Sequence, residues 1–295
     1  MRRERDDRVG GHLAGPQGRR DPFVDAAPQL CRVHPIMLYR QRVQIGLLPA
    51  SAHDVFVGAG LAVAAATFGY EVRRRGRSDP RLWYLLCGAL VGGLLAGRLA
   101  GWARHLDPGA NPSLAEQWLY GGRSILSGLA GAYAGVLVAK RWCRYPWRSG
   151  DLFAPAVAAG MAVGRVGCLL TERPGTPTGA PWGVTLGAAD AARFPGTPPG
   201  VALHPSFAYE IVFQVVALVL LIVLRDRVTR PDALFTGYLV GYAAFRFAVE
   251  FVRGNEVVAA GLSRSQIFLL CCLPLLGWRL RRLLTTREEE TVWAR

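Results

Sequence analysis

From residue 53 onward, apolar residues come in long runs separated by loops that carry arginine. Seven such runs stand near 53–71, 82–103, 124–140, 150–170, 206–224, 233–252 and 262–280. Each is close to the ~20 residues a helix needs to cross the hydrocarbon of a bilayer. A segment surrounded by lipid must satisfy its own backbone hydrogen bonds, which favours helix over an open strand. The pattern therefore predicts an all-α fold, a polytopic membrane bundle of about seven transmembrane helices. The first two runs, HDVFVGAGLAVAAATFGYE and LWYLLCGALVGGLLAGRLAGW, are rich in Gly and Ala. Small residues let helices approach closely where packing stands in for the hydrophobic effect.

The loops between runs predict an orientation. Loops after the first, third and fifth runs, together with the C-terminus, hold seventeen basic residues, among them Arg73–Arg75, Lys140, Arg141 and Arg225. The alternate loops hold six: Arg104, Arg123, Arg173, Arg193, Arg253 and Arg264. The excess of Lys and Arg on the cytoplasmic side then puts the N-terminus outside and the C-terminus in the cytoplasm. The two longest loops, 104–123 and 171–205, fall outside. The second is full of Pro and Gly and has room for a short hairpin around Trp182–Leu186.

Residues 1–33 differ from the rest, with charges of both signs, Gly and Pro and no apolar period. That composition predicts disorder, and the stretch lacks the apolar core of a signal peptide. The expected division is a basic tail or upstream extension over 1–36, with Met37 as an alternative start. A seven-helix membrane domain over 37–284 and a cytoplasmic tail over 285–295 follow it.

Composition sharpens the class. Of 295 residues, 51% are hydrophobic and 19% charged, yet the formal net charge is +14. A chain both apolar and basic is neither an acidic disordered protein nor a disulfide-stapled miniprotein. A nucleic-acid binder would spread its arginines over amphipathic elements, whereas here they cluster between apolar runs. The basic loops imply anionic headgroups on the inner face. The six cysteines form no CxxC pair and read as free thiols, and the five histidines are scattered, so no metal cluster is expected.

Arg98, Arg165 and Arg246 lie inside apolar runs, where a charge is costly and reads as function by default. In the sixth run, Tyr242, Arg246, Glu250 and Arg253 recur at helical spacing and share one face. A Glu between two Arg residues can hold both guanidinium groups, leaving one net positive charge for an anion. In the fourth run Arg165 stands between Gly164 and Gly167, which clear space beside it, and the helix breaks near Glu172. The fifth run opens LHPSFAYE, with His204 just before Pro205, and Tyr209 and Glu210 one turn inside.

GRxGC…PT…PWGV, then HPSxxYE, then GYxxFRFxxEFxR…GLSxxQ, in that order, resembles the prolipoprotein diacylglyceryl transferase family. GGRSILSGLAGAYAG at 121–135 is similar to that family's Gly-rich third segment. The likeness covers roughly residues 50–282. It implies a multi-pass enzyme of the bacterial inner membrane that needs no metal or other cofactor. Such an enzyme moves diacylglyceryl from phosphatidylglycerol to the lipobox Cys thiol of a prolipoprotein, releasing glycerol phosphate. By the resemblance, Arg165 binds the phosphate and Arg246 is a second essential arginine, with Tyr242 and Glu250 as its partners. His204, Tyr209 and Glu210 match HPSxxYE, and Glu172 falls one residue from the family's acidic position. With these the expected catalytic set is Arg246, Glu250, His204 and Tyr242. Phosphatidylglycerol would be held by Arg165, Arg246, Arg98, Tyr209, Glu210 and Arg253.

The chain departs from the family's pattern at three places. A His in the third segment is replaced by Leu126, an Asn by Cys168, and a Tyr near the start of the first run by His53. A thiol of pKa near 8.5 must lose its proton to attack. With Leu126 where the family carries His, the proton goes to His204, His53, Glu172, water or a lipid phosphate. Two other classes fit parts of the pattern. One is a relative that binds anionic lipid without transferring it. The other is a small-anion transporter, for which paired halves would be expected.

Overall fold

The computed structural model describes residues 42–45, 48–77, 79–103, 124–194 and 196–285. A short antiparallel hairpin, β1 (Arg42–Ile45) with β2 (Leu48–Ser51), leads into the first helix. Seven long helices follow among the described residues: α1 (Ala52–Arg74), α2 (Arg81–Ala103), α3 (Ile125–Trp142) and α4 (Gly150–Thr171) come first. After one turn of helix, α5 (Ala188–Ala191), come α6 (Ser206–Leu224), α7 (Ala233–Arg253) and α8 (Arg264–Thr285). All seven apolar runs are helices, each within a few residues of its expected bounds. Four of them, α1, α2, α4 and α6, are long and apolar enough to cross a membrane. α7 carries Arg246, Glu250 and Arg253, and α8 carries Arg279, Arg281 and Arg282, so both are more charged than a plain span. The expected tails, 1–36 and nearly all of 285–295, lie outside the described residues, as does the loop 104–123.

Close helix pairs organise the bundle. α1 packs along α4, α2 along α3, and α4 also against α6 and α7. Small residues make this possible: a methyl group on Gly88 of α2 would lie 2.6 Å from the Gly135 carbonyl oxygen of α3. Two apolar clusters lie between the helices. Phe68, Leu82, Leu85 and Phe153 join α1, α2 and α4, with the Phe68 and Phe153 rings 4.5 Å apart. Ala154, Ala158, Leu221, Leu234 and Tyr238 join α4, α6 and α7. The other face of α6 is the reverse, because Val212, Val216, Val219, Leu220 and Val223 are all exposed. A continuous apolar surface of this kind is rare on a water-soluble monomer.

Polar contacts fix the helix ends. Ser124 caps α3 through its hydroxyl, which accepts from the Ser127 N–H. α7 stops at Gly254, whose φ of 69° is a left-handed conformation that suits glycine. At the far end of α1, the buried Glu71 pairs with Arg225 at the close of α6. Next to it Arg74 bonds Asp226 at 2.5 Å and holds that carboxyl below the usual carboxylate range.

At their starts α4 and α7 are joined by two carboxylates. The Asp232 side chain accepts from Gly150 N–H at 2.8 Å, and Asp151 accepts from the N–H groups of Asp232 and Phe235 at 2.8 and 2.9 Å. The two helices therefore begin side by side and run in the same direction. Arg165 stands fourteen residues past Asp151, and Arg246 fourteen residues past Asp232. At 1.5 Å per residue both lie about 21 Å along their helices, at one level.

Apart from α5, the described residues of 172–205 are ordered by pairing rather than by helix. β3 (Val184–Thr185) pairs with β4 (Ala202–Leu203), so Trp182–Leu186 does not close on itself as the short hairpin expected there but gives one strand to a partner beyond α5. Thr176 N–H donates to Val252 O and His204 N–H to Thr176 O, tying the segment to the end of α7. A last hairpin, β5 (Val257–Ala259) with β6 (Leu262–Ser263), connects α7 to α8.

Candidate active site

Where α4, α6 and α7 meet, Glu210 is fully buried and three arginines converge on it. Arg165 of α4 pairs with it directly, Arg253 of α7 lies 2.5 Å away, and the Nε of Arg246 is 3.8 Å away. The first turn of α6, opened by His204–Pro205–Ser206, carries this carboxylate inward. Arg246 also pairs with Glu250 one turn along α7. Glu250 in turn accepts hydrogen bonds of 2.7 Å from Asn255 and from the Ser263 hydroxyl. The ring of Phe207 faces two of the cations, with the Arg253 guanidinium carbon 4.4 Å from its centre and that of Arg165 5.9 Å away.

The charge count decides what this cluster does. Arg165, Arg246, Glu210 and Glu250 are all buried, and Arg253 is nearly so, with its side chain 11% exposed. Among the buried groups, three guanidiniums against two carboxylates leave one positive charge, which the 42% exposed Glu172, 4.0 Å from Arg253 at the edge, offsets only weakly. Donors are available too. The Arg165 Nε is buried without a hydrogen-bond partner among the described residues, and the Tyr242 hydroxyl is buried beside the same guanidinium. Buried donors held in this way can accept an anion and can stabilise developing negative charge.

One sequence expectation is corrected here. Glu250 does not hold both of its neighbours on α7, because Arg253 turns to Glu210 on α6 and stands 4.0 Å from Glu172. A fully buried carboxylate on a facing helix competes better for Arg253 than a residue three positions back that already has Asn255 and Ser263.

The other expected residues divide by place. His204 and Tyr209 contact each other, with the His204 Nδ1 3.1 Å from the tyrosine hydroxyl. That hydroxyl also receives the indole N–H of Trp182 at 2.8 Å. This trio sits where the 172–205 segment meets α6, and its bonds run among its own members. Arg98 lies half-buried on α2, which packs mainly along α3 and meets α4 through the apolar cluster of Leu82, Leu85 and Phe153.

Sequence reasoning missed one grouping. His53 Nδ1 at the start of α1 lies 3.9 Å from the Cys168 Sγ and 3.8 Å from a Glu172 oxygen. Arg165 reaches the same sulfur at 3.7 Å. The scattered histidines and unpaired cysteines gave no hint of it, because 115 residues separate His53 from Cys168. The anchors of Glu250 were closer to view, since Ser263 lies within the GLSxxQ stretch and Asn255 follows Arg253 by two residues. Arg165 and Arg253 stand beside these groups, and such an array of guanidinium charge opposes a divalent cation there.

A family model described as prolipoprotein diacylglyceryl transferase matches residues 25–278. The phosphatidylglycerol–prolipoprotein diacylglyceryl transferase of Pseudoalteromonas atlantica is 30% identical over 256 residues, 81% of this chain and 88% of its own length. The protein of that name from Bacillus cereus is 29% identical over 251 residues, 83% and 89% of the two chains. That of Cupriavidus metallidurans is 32% identical over 198 residues, 64% and 68%.

Proposed function

This chain belongs to the prolipoprotein diacylglyceryl transferase family, and from that premise we propose that it transfers diacylglyceryl from phosphatidylglycerol to the thiol of a lipobox cysteine. The single observation that carries the reading to the residues is the buried cluster on Glu210, three arginines against two carboxylates.

The phosphodiester enters the cluster as its missing negative charge. Arg165 and Arg246 hold its oxygens, and the Tyr242 hydroxyl donates to it. Glu250, fixed by Asn255 and Ser263, keeps Arg246 in place, while Glu210 does the same for Arg165 and Arg253. When the acceptor sulfur attacks the glyceryl carbon, the C–O bond to phosphate breaks and its electron pair leaves on glycerol phosphate. The guanidinium groups neutralise that growing charge, a role planar bidentate cations fill better than ammonium. His204 and Tyr209, held by Trp182, form the wall past which the acceptor cysteine approaches. The donor already carries its leaving group, so the chemistry requires no cofactor.

The seven long helices would all span the bilayer of the bacterial inner membrane, with the N-terminus outside and the C-terminus in the cytoplasm. The membrane domain would run over 37–284 between its two tails. The excess of basic residues at alternate loops supports this topology, and the exposed apolar face of α6 supports lipid as its surroundings.

The test is transfer of label from phosphatidylglycerol to a lipobox peptide by membranes carrying this protein, with a Cys→Ser peptide as control. Label on the Cys peptide alone supports the reading. Leu126, at a position where the family carries His, favours a second reading, binding of phosphatidylglycerol without transfer. Bound but untransferred lipid in the same assay would establish that one instead.

A further inference from the structure

A thiol with an ordinary pKa is almost entirely protonated at neutral pH, so transfer to sulfur needs a group that removes its proton beside the phosphate site. Two imidazoles lie among the described residues near the cluster. That of His204 is engaged through Nδ1 with Tyr209, whose hydroxyl is bonded to Trp182. His53 lies against Cys168, and the Cys168 sulfur touches the Arg165 guanidinium. Its side chain is 28% exposed and that of Glu172 is 42% exposed, so the pair sits at the rim of the site rather than in its dry interior.

We propose that His53 takes the proton of the incoming cysteine, and that Glu172 is the positioning residue that turns its ring and balances the imidazolium. The inference rests on the transferase reading given above. His53 Nδ1 faces the Glu172 carboxylate, which leaves Nε2 as the nitrogen that accepts the proton. The S–H bond breaks to Nε2, the sulfur electron pair forms the new bond to the glyceryl carbon, and the C–O pair departs on phosphate. The proton then passes from His53 to water at the exposed rim.

The packing of two helices sets this placement. A methyl group on Gly167 would meet the Phe56 Cβ at 2.9 Å and the His53 carbonyl oxygen and Cα at 3.2 and 3.3 Å. Only glycine at 167 lets the first turn of α1 lie against α4 with His53 beside Cys168. The titratable groups that face the ring are Cys168 of α4 and Glu172 at its end, with Arg165 of α4 behind the Cys168 sulfur. Arg253 of α7 acts on it through Glu172, and Asp54 is its neighbour on α1. The carboxylate of Glu172, 3.8 Å from Nδ1, is the charged side chain nearest the ring among the described residues.

The experiment uses the full-length protein in vesicles containing phosphatidylglycerol, with a lipobox peptide as acceptor, comparing wild type, His53→Ala, His53→Gln and Glu172→Gln. Positioned proton transfer contributes on the order of a hundredfold or more. His53→Ala and His53→Gln should therefore lose about a hundredfold in kcat, with KM for phosphatidylglycerol changed by less than about threefold. Added imidazole should restore turnover to His53→Ala, where it fits the vacated space, and not to His53→Gln. Glu172→Gln should lose about tenfold in kcat. Turnover within about threefold of wild type in both His53 variants overturns the inference. So does a loss that imidazole leaves unrestored in a His53→Ala protein with a wild-type melting temperature, since that marks a structural role. If His53→Ala melts early, His53→Gln, which keeps a polar side chain of similar length, decides by its kcat. Absence of transfer by the wild type overturns the transferase reading itself, a result distinct from undiminished transfer in the variants.

Discussion

Asp151 and Asp232 each hold the beginning of the other's helix. Asp232 accepts from the first N–H of α4, and Asp151 accepts from two N–H groups at the start of α7. A side chain that caps its own helix is common; here each cap crosses to a neighbour, so the starts of α4 and α7 are fixed to one another as well as satisfied. Gly150 is part of the device, because a Cβ there would stand 2.5 Å from the Asp232 carboxylate.

Asp232→Ala should therefore cost more than an ordinary cap. Loss of one N-cap is worth about 1 kcal/mol, and this change also releases the link to α4. Thermal melting in detergent should show Asp232→Ala less stable than an ordinary cap variant, Ser124→Ala. Transfer should fall with it, because Arg165 and Arg246 lose their common reference. Full activity in a clearly destabilised Asp232→Ala protein would sever that link.

Arg165→Lys and Arg246→Lys keep the charge but lose the planar fork, so each should reduce transfer at least about tenfold at matched protein levels. Arg98→Lys should do less damage, since α2 stands on the other helix pair. Leu126→Ala should stay within about twofold of wild type, a leucine having no proton to move. Near-normal turnover in both Lys variants would remove the two-arginine clamp.

Glu210 should behave as a keystone of stability, and Glu172 should not. Glu210→Gln leaves three buried or nearly buried guanidinium groups with one carboxylate, and breaking a buried pair costs on the order of 3–5 kcal/mol. Its melting temperature and yield should fall sharply. The half-exposed Glu172 has a screened environment, and Glu172→Gln should melt close to wild type. Equal stabilities in the two variants would mean that solvent reaches Glu210.

Topology is accessible to tags. A C-terminal tag should be protected from reagents outside intact cells, and a tag inserted within 185–200 should be labelled by them. A cytoplasmic tag within 185–200 would break the seven-span assignment.

The helices were legible because a lipid-facing segment has almost one solution, and apolar length alone reports it. The Arg, Glu and Tyr stripe on α7 was legible because its spacing is local to one helix. What lay beyond reach depended on facing helices. Nothing in the spacing of Glu250 and Arg253 says that Glu210, forty residues earlier, will take the second arginine. His53 and Cys168 are farther apart still, and their contact exists only because Gly167 lets α1 settle onto α4. α7 is less apolar than α1, α2, α4 and α6, since the buried Arg246 and Glu250 lower the apolar character by which a span is recognised.

The matched spacing from Asp151 to Arg165 and from Asp232 to Arg246 makes the length of these two helices a different kind of constraint from their composition. Between cap and arginine, most outward residues can change with small effect, because neither end is moved. Removing one residue from either stretch withdraws its arginine by about 1.5 Å and swings it about 100° around the axis, off Glu210. Deleting one residue from both restores the common level but not the direction, since each guanidinium still turns away. α4 and α7 act as a pair of equal rulers, forgiving of substitution and intolerant of any edit in length.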